Sequence, residues 1–146
     1  MRVVIQRVKE AQVEVQGRLI GRISKGLLIF LGVGRHDTPA AADYLVRKIT
    51  ELRVFEDAEG KMNVSAQEAG AQYLVVSQFT LYGNCDKGRR PSFDQAADPA
   101  AGEMLYTYFV RQLEATQAVV ATGQFKAMME VSLINDGPVT FVIDSK

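Results

Sequence analysis

Sulfur and imidazole are scarce in this chain: among 146 residues there is one cysteine, Cys85, and one histidine, His36. A lone cysteine closes no internal disulfide, which fits a reducing cytoplasm. Cysteine and histidine never gather at metal-ligand spacing, so no zinc site is expected and no metal or cofactor is assigned. A Ser-His-Asp site would need His36 as its base, yet His36-Asp37 lies in a polar loop and no Gly-x-Ser-x-Gly elbow accompanies it. His36 therefore reads as a solvated loop residue, and a Cys85–His36 thiol pair has no local signature either. Gly32-Val33-Gly34 lacks the third glycine of a dinucleotide fingerprint, because Asp37 stands in its place. Asn63-Val64-Ser65 matches a glycosylation sequon that has no meaning without secretion.

Long apolar runs and an excess of either charge are also missing. The longest apolar run, Gly26 to Val33, is far too short to cross a bilayer. Met1-Arg2 leads straight into a strand-like segment, without the apolar core and cleavage site of a secretory signal. Lysine plus arginine equals aspartate plus glutamate at 17 each, which argues against a general DNA or RNA coat. A protein gripping only the end of an RNA through a few contacts stays open. With 47% hydrophobic and 23% charged residues and no repeat or composition break, residues 1–146 are expected to form one globular domain working in the cytoplasm, with no membrane and no DNA partner.

What is present is a run of strand signals with two helices among them. Arg2 to Val8 reads as a strand, and Ala11-Val13-Val15 alternates with Gln12, Glu14 and Gln16. Gly17-Arg18 turns into Leu19 to Ile23. Gly26 to Val33 is apolar throughout, as a central strand covered on both faces is. Thr38-Pro39 opens a helix with Ala41, Leu45, Ile49 and Leu52 on one face. Asp57 to Gly60 turns a hairpin between Arg53-Val-Phe55 and Met62-Asn-Val64, and Gln72 to Thr80 is a further strand. Asp98-Pro99 opens the second helix, whose apolar stripe is Leu105, Tyr108, Phe109 and Leu113. The expected fold is α+β, with a largely antiparallel, barrel-like sheet and two main helices.

Three segments carry chemistry. Asn135-Asp136-Gly137-Pro138-Val139-Thr140 lies between apolar segments Met128 to Ile134 and Thr140 to Ile143, and reads as a turn joining two strands. Its Gly-Pro pair sets a residue without Cβ beside one of fixed φ with no N–H, which frees carbonyl groups from a sheet ladder. Ser77-Gln78-Phe79-Thr80 ends a buried strand, where alternation puts Ser77 and Phe79 on one face, Gln78 and Thr80 on the other. Those residues are either ordinary strand and core groups or the lining of a pocket, where a backbone N–H can hold a developing oxyanion. Lys87-Gly88-Arg89-Arg90 is either a solvated loop or, beside such a pocket, a grip on RNA phosphates.

Taken together, these segments resemble the D-aminoacyl-tRNA deacylases, which cut wrongly attached D-amino acids from tRNA. Val4-Ile-Gln-Arg-Val8, Gly26 to Val33, Glu59-Gly-Lys-Met-Asn63, Val75-Val-Ser-Gln-Phe-Thr-Leu81, Arg90-Pro-Ser-Phe93 and Val131 to Thr140 are similar to family segments in matching order, with the least fit at Tyr82 to Asp86. The resemblance implies a homodimer acting on the aminoacyl-tRNA 3′ end, with a cis Gly137–Pro138 peptide inserted into the partner's pocket. It makes Gly137 and Pro138 the chirality filter facing Ser77, Gln78, Phe79 and Thr80, and it makes glycyl-tRNA a substrate. Arg7 is a candidate support for the Gly-Pro segment.

The chemistry of such a filter follows from stereochemistry. With the ester and α-amino group held and rigid carbonyls close to Cα, an L-side chain collides while a D-side chain projects outward. Glycine has no side chain to exclude. Since an aminoacyl ester is already activated, its hydrolysis needs positioning and charge stabilisation more than a strong nucleophile. No base is identifiable for the Thr80 hydroxyl, so water attack is favoured, with N–H groups near Phe79 and Thr80 holding the oxyanion and the RNA 2′-OH assisting. The alternatives are a covalent Thr- or Ser-dependent esterase, a non-catalytic module binding the tRNA end or a protein, and a purely structural role.

Overall fold

The structure is a computed structural model that describes residues 1–146. The two alternating runs at the amino end merge into one strand, β1 (Arg2–Val15), which buries Val3, Ile5, Val8, Ala11 and Val13. Lys9 and Glu10 interrupt the alternation where the ladder shifts register, so the strand bends there. Its two halves therefore meet different neighbours. The first pairs antiparallel with β3 (Gly26–Gly32), the second with β2 (Arg18–Ile23).

After β3 come α1 (Pro39–Glu51) and a hairpin of β4 (Arg53–Glu56) and β5 (Met62–Ser65). The chain then returns as β6 (Gln72–Ser77), parallel to β3. It crosses once more through α2 (Pro99–Glu114) to β7 (Val120–Thr122), parallel to β6. The sheet is consequently mixed, with its strand pairings to β1 antiparallel and those of β6 parallel. Both parallel pairs contain a helix in their connection, the usual route by which a chain re-enters a sheet in the same direction. At the far edge the β2 backbone at Gly21 lies against the Thr122 carbonyl of β7, which nearly closes the sheet into a barrel.

Two cores result. Leu45 and Ile49 of α1 and Leu105, Phe109 and Leu113 of α2 pack on Val3, Ile5, Ile29, Leu31, Tyr73 and Val75. The barrel interior holds Val8, Val13, Ile23, Leu28, Leu74 and Val76. Strand β3 is thus covered on both faces, as its unbroken apolar run predicts. Asp98 caps α2 by accepting from the N–H groups of Ala100 and Ala101 at 3.0 Å, whereas the Thr38 hydroxyl caps nothing. The buried tyrosine of α2 is Tyr106, not Tyr108, whose hydroxyl turns out to donate to Asp43 at 2.9 Å. No helix is long and apolar enough to cross a membrane.

Candidate active site

Strand β6 stops at Ser77, earlier than its composition suggests. The Gln78 N–H still donates to the Leu31 carbonyl at 2.8 Å, and Phe79–Tyr82 then closes a 3-10 turn. Gln78 and Thr80 therefore do not alternate with Ser77 and Phe79 across a sheet. The turn has a chemical consequence, because the first N–H groups of such a turn, here those of Phe79 and Thr80, find no partner within it. Thr80 and Phe79 are exposed, and the Gln78 amide nitrogen donates to the Thr80 hydroxyl.

Beside this turn lies a cavity of about 250 Å³. Ser77, Gln78 and Phe79 form one wall, while Tyr106 and Phe125 stand on another with their rings 5.7 Å apart. Pro99 and Gly102 at the start of α2 also line it, as do Asp98 and Lys126. The Tyr106 hydroxyl donates to the Val75 carbonyl at 2.9 Å, and burial pushes this phenol up to about 12, so it remains a neutral donor. Thr80 is not part of this lining. Phe125 and Lys126 come from the loop between β7 and the last strand, more than 40 residues from Ser77, and no local pattern connects them to it.

The basic loop is tied to the same place. Asn84 and Ser92 exchange backbone hydrogen bonds of 2.8 and 3.0 Å, which closes the base of the segment carrying Lys87, Arg89 and Arg90. All three cations are exposed and none is in an ion pair. Phe93, just beyond, meets Phe79 edge to face with centroids 5.0 Å apart. His36 and Cys85 are exposed, and neither lines the cavity.

The Gly-Pro segment is not a turn between two mutually paired strands. It lies within one strand, β8 (Glu130–Asp144), that runs antiparallel to β1 on both sides of it. Thr140 faces Gln6 and Asn135 faces Val8, so the four residues Asp136 to Val139 stand opposite Arg7 alone as an extended bulge with Gly137 and Pro138 at its exposed tip. Sequence favours a hairpin because the flanks are close in the chain; long-range pairing with β1 decides otherwise. The Gly137–Pro138 peptide is cis and both residues are exposed. Gly137 has φ +150°, and a Cβ there would sit 2.6 Å from a Val139 methyl carbon.

Two side chains, buried Arg7 and half-buried Asn135, grip this bulge. Arg7, only 5% exposed, donates from Nε to the Asp136 carbonyl at 2.9 Å and from Nη1 to the Val54 carbonyl at 2.7 Å. Its Nη2 lies 3.5 Å from a Glu56 carboxylate oxygen. Asn135 accepts from the Val139 N–H at 2.8 Å and donates to the Thr140 hydroxyl at 3.1 Å. One chain does not bring the bulge to the cavity. Gly137 lies level with Arg7, Leu27 and Tyr73, whereas Ser77 is four residues farther along and three strands across. At standard strand spacings that separation is roughly 15–20 Å.

The D-Tyr-tRNA(Tyr) deacylase family model matches residues 4–144. A D-aminoacyl-tRNA deacylase of Desulfatibacillum aliphaticivorans is 55% identical over 146 residues, covering 100% of both chains. That of Symbiobacterium thermophilum is 56% identical over 146 residues, covering 100% of this chain and 97% of the other. Among solved structures, a c-Myc DNA unwinding element binding protein superposes with a TM-score of 0.94 at 39% identity, over 100% of this chain and 99% of that one. A probable eukaryotic D-amino acid tRNA deacylase gives a TM-score of 0.85 at 20% identity, over 98% of each chain, a likeness of fold alone.

Proposed function

This chain belongs to the D-Tyr-tRNA(Tyr) deacylase family, hydrolases of the D-aminoacyl-tRNA ester, and we propose that it judges handedness with main-chain atoms lent by a second copy of itself. In that homodimer Gly137 and Pro138 of one protomer enter the partner's cleft beside Ser77, Gln78, Phe79 and Thr80. The observation that carries the proposal is a mismatch of place: the Gly-Pro bulge is clamped by Arg7 and Asn135, yet exposed and roughly 15–20 Å from its own protomer's cavity on strand geometry. A rigid, exposed segment with no role at home is suited to complete a neighbour's site.

With carbonyls of Gly137 and Pro138 close to the substrate Cα, an L-side chain runs into fixed backbone and a D-side chain projects outward. Because the site never grips the side chain, many D-residues pass. Glycine passes too, including glycine mischarged on tRNA(Ala). The apolar cavity between β6 and α2 takes the terminal adenosine, and the cations of Lys87, Arg89 and Arg90 meet phosphates farther along the strand.

Water attacks the ester carbonyl, the electrons move onto its oxygen, and the N–H groups of Phe79 and Thr80 hold that charge until the ribose oxygen leaves. The 2′-OH of the adenosine relays the proton. Thr80 shapes the site rather than forming an acyl-enzyme. Its hydroxyl contacts the Gln78 amide, and either end of an amide is too weak a base to activate it. Ser77 and Gln78 orient the ester. The proposal uses no metal or cofactor, and it places the enzyme in the cytoplasm as a single domain spanning 1–146.

The test compares D-tyrosyl-, L-tyrosyl- and glycyl-tRNA with the purified protein, with and without chelator. Release from the first and third alone, unaffected by chelator, supports the proposal. Hydrolysis of the L-ester at a comparable rate would remove it.

A further inference from the structure

The 3-10 turn that follows Ser77 is secured from behind by groups outside the cavity. The Tyr82 hydroxyl, on the last residue of the turn, donates to Asp37 Oδ2 at 3.3 Å. Asp37 is itself fixed, since it accepts from the Gly34 N–H and from the Met1 ammonium group. Arg2 adds a second tie. Its Nη1 donates to the Leu81 carbonyl at 3.2 Å, its guanidinium lies 5.7 Å from the Tyr82 ring centroid, and Asp144 holds its Nε at 2.7 Å. The ring packs so closely on β3 and the residues after it that a Cβ at Gly34 would come within 2.8 Å of it. Three separate parts of the chain, its first residues, the segment after β3 and the end of β8, thus converge on one turn.

None of Arg2, Asp37 and Tyr82 lines the cavity, so none is placed to touch substrate. We propose that Tyr82, anchored by Asp37 and Arg2, is a positioning residue that sets the Phe79–Tyr82 turn and thereby aims its leading N–H groups at the reacting carbonyl. This rests on the reading that Ser77 to Thr80 form the reaction centre. The physical reason is lever-like. A four-residue turn has few internal hydrogen bonds, among them Leu81 N–H to Gln78 and a closing Gly83 N–H to Thr80. Its orientation must come from the tertiary contacts of its far end. Oxyanion stabilisation depends steeply on donor placement, so a small rotation of the turn costs rate while leaving the bound nucleoside in place. The burial of Tyr82 and the neighbouring Asp37 push its phenol up to about 12, which keeps it a donor at every working pH.

Tyr82→Phe keeps the ring and removes the donor. In steady-state assays on D-tyrosyl-tRNA the expected result is a fall in kcat of about tenfold with KM within about twofold, and Asp37→Asn moves the same way. Amide hydrogen exchange separates positioning from general loosening: Leu81 and Gly83 exchange about tenfold faster, while the β3 amides keep their wild-type protection. Unchanged kcat with unchanged exchange at Leu81 and Gly83 overturns the inference, as does a loss of kcat matched by equal acceleration throughout β3. Ser77→Ala and Gln78→Ala, at the two residues that orient the ester, are assayed alongside. If they also leave kcat untouched, the placement of the reaction centre has failed; if they lower it and Tyr82→Phe does not, only the positioning role has.

Discussion

Arg7 Nε stands 2.9 Å from the carbonyl oxygen of Asp136, the residue that leads into the Gly137–Pro138 peptide. The same guanidinium reaches the Val54 carbonyl, so one buried side chain couples the bulge of β8 to the hairpin after α1. Replacing it with methionine keeps much of the volume and leaves two carbonyls without their donor. The expected loss is about 2–4 kcal/mol in urea unfolding, together with a measurable rise in L-tyrosyl-tRNA cleavage relative to the D-ester. Intact selectivity in a folded Arg7→Met protein would separate the clamp from the filter.

Cross-subunit action predicts complementation. One variant keeps its cleft and carries Gly137→Ala, which crowds the Val139 methyl; the other keeps its bulge and carries Ser77→Ala with Gln78→Ala in the cleft. Mixed dimers should regain D-selective cleavage, because the intact cleft of the first then receives the intact bulge of the second. Selectivity no better than that of the Gly137→Ala protein alone would mean each site is completed within one chain.

Thr80→Ala is expected to retain deacylation within about tenfold of wild type, since the main-chain N–H proposed to hold the oxyanion survives the substitution. Mass spectrometry of a quenched wild-type reaction should show no acyl group on Thr80. Complete inactivity in a correctly folded variant, together with a trapped adduct, would restore the covalent mechanism.

Removing the charges of Lys87, Arg89 and Arg90 together should raise KM while leaving kcat nearly unchanged. The dependence of log KM on log salt should flatten by about 2, at roughly 0.7 per single-strand phosphate contact. An unchanged salt slope would show that this loop is merely solvated.

Tyr73, Tyr82 and Tyr106 make stability sensitive to alkali. Burial is the leading cause that raises each phenol from 10.0 to about 12. Between those values the folded protein keeps protons that the unfolded chain has already shed, so stability present below pH 10 is lost as pH rises toward 12. Urea midpoints measured across this range should fall steeply, with phenolate absorbance appearing alongside unfolding. A flat profile would contradict the burial of these rings.

Much of the fold was legible because the deciding signals are local. Pro39 and Pro99 at helix starts, Asp57 in the hairpin and the unbroken run of β3 each act within a few residues. What escaped was decided at a distance. Nothing near Gly137 reveals that both its flanks pair with β1, more than 120 residues away. Strand β6 ends at Ser77 despite the β-favouring character of Phe79 and Thr80, and Tyr82, at the far end of the turn that follows, docks behind β3. Helical spacing placed Tyr108 on the apolar stripe, whereas the buried ring is Tyr106, whose hydroxyl donates to the Val75 carbonyl while that of Tyr108 donates to Asp43. Ser77, Gln78 and Phe79, singled out from the sequence, do line the cavity, whereas Phe125 and Lys126 opposite them carry no local signal.

The ladder between β1 and β8 resumes on either side of the Asp136–Val139 excursion. Its tip can therefore change length or composition while the barrel on both flanks stays in register, much as a key can be recut without altering its bow. The protrusion proposed to judge handedness is thus separable from the scaffold that carries it.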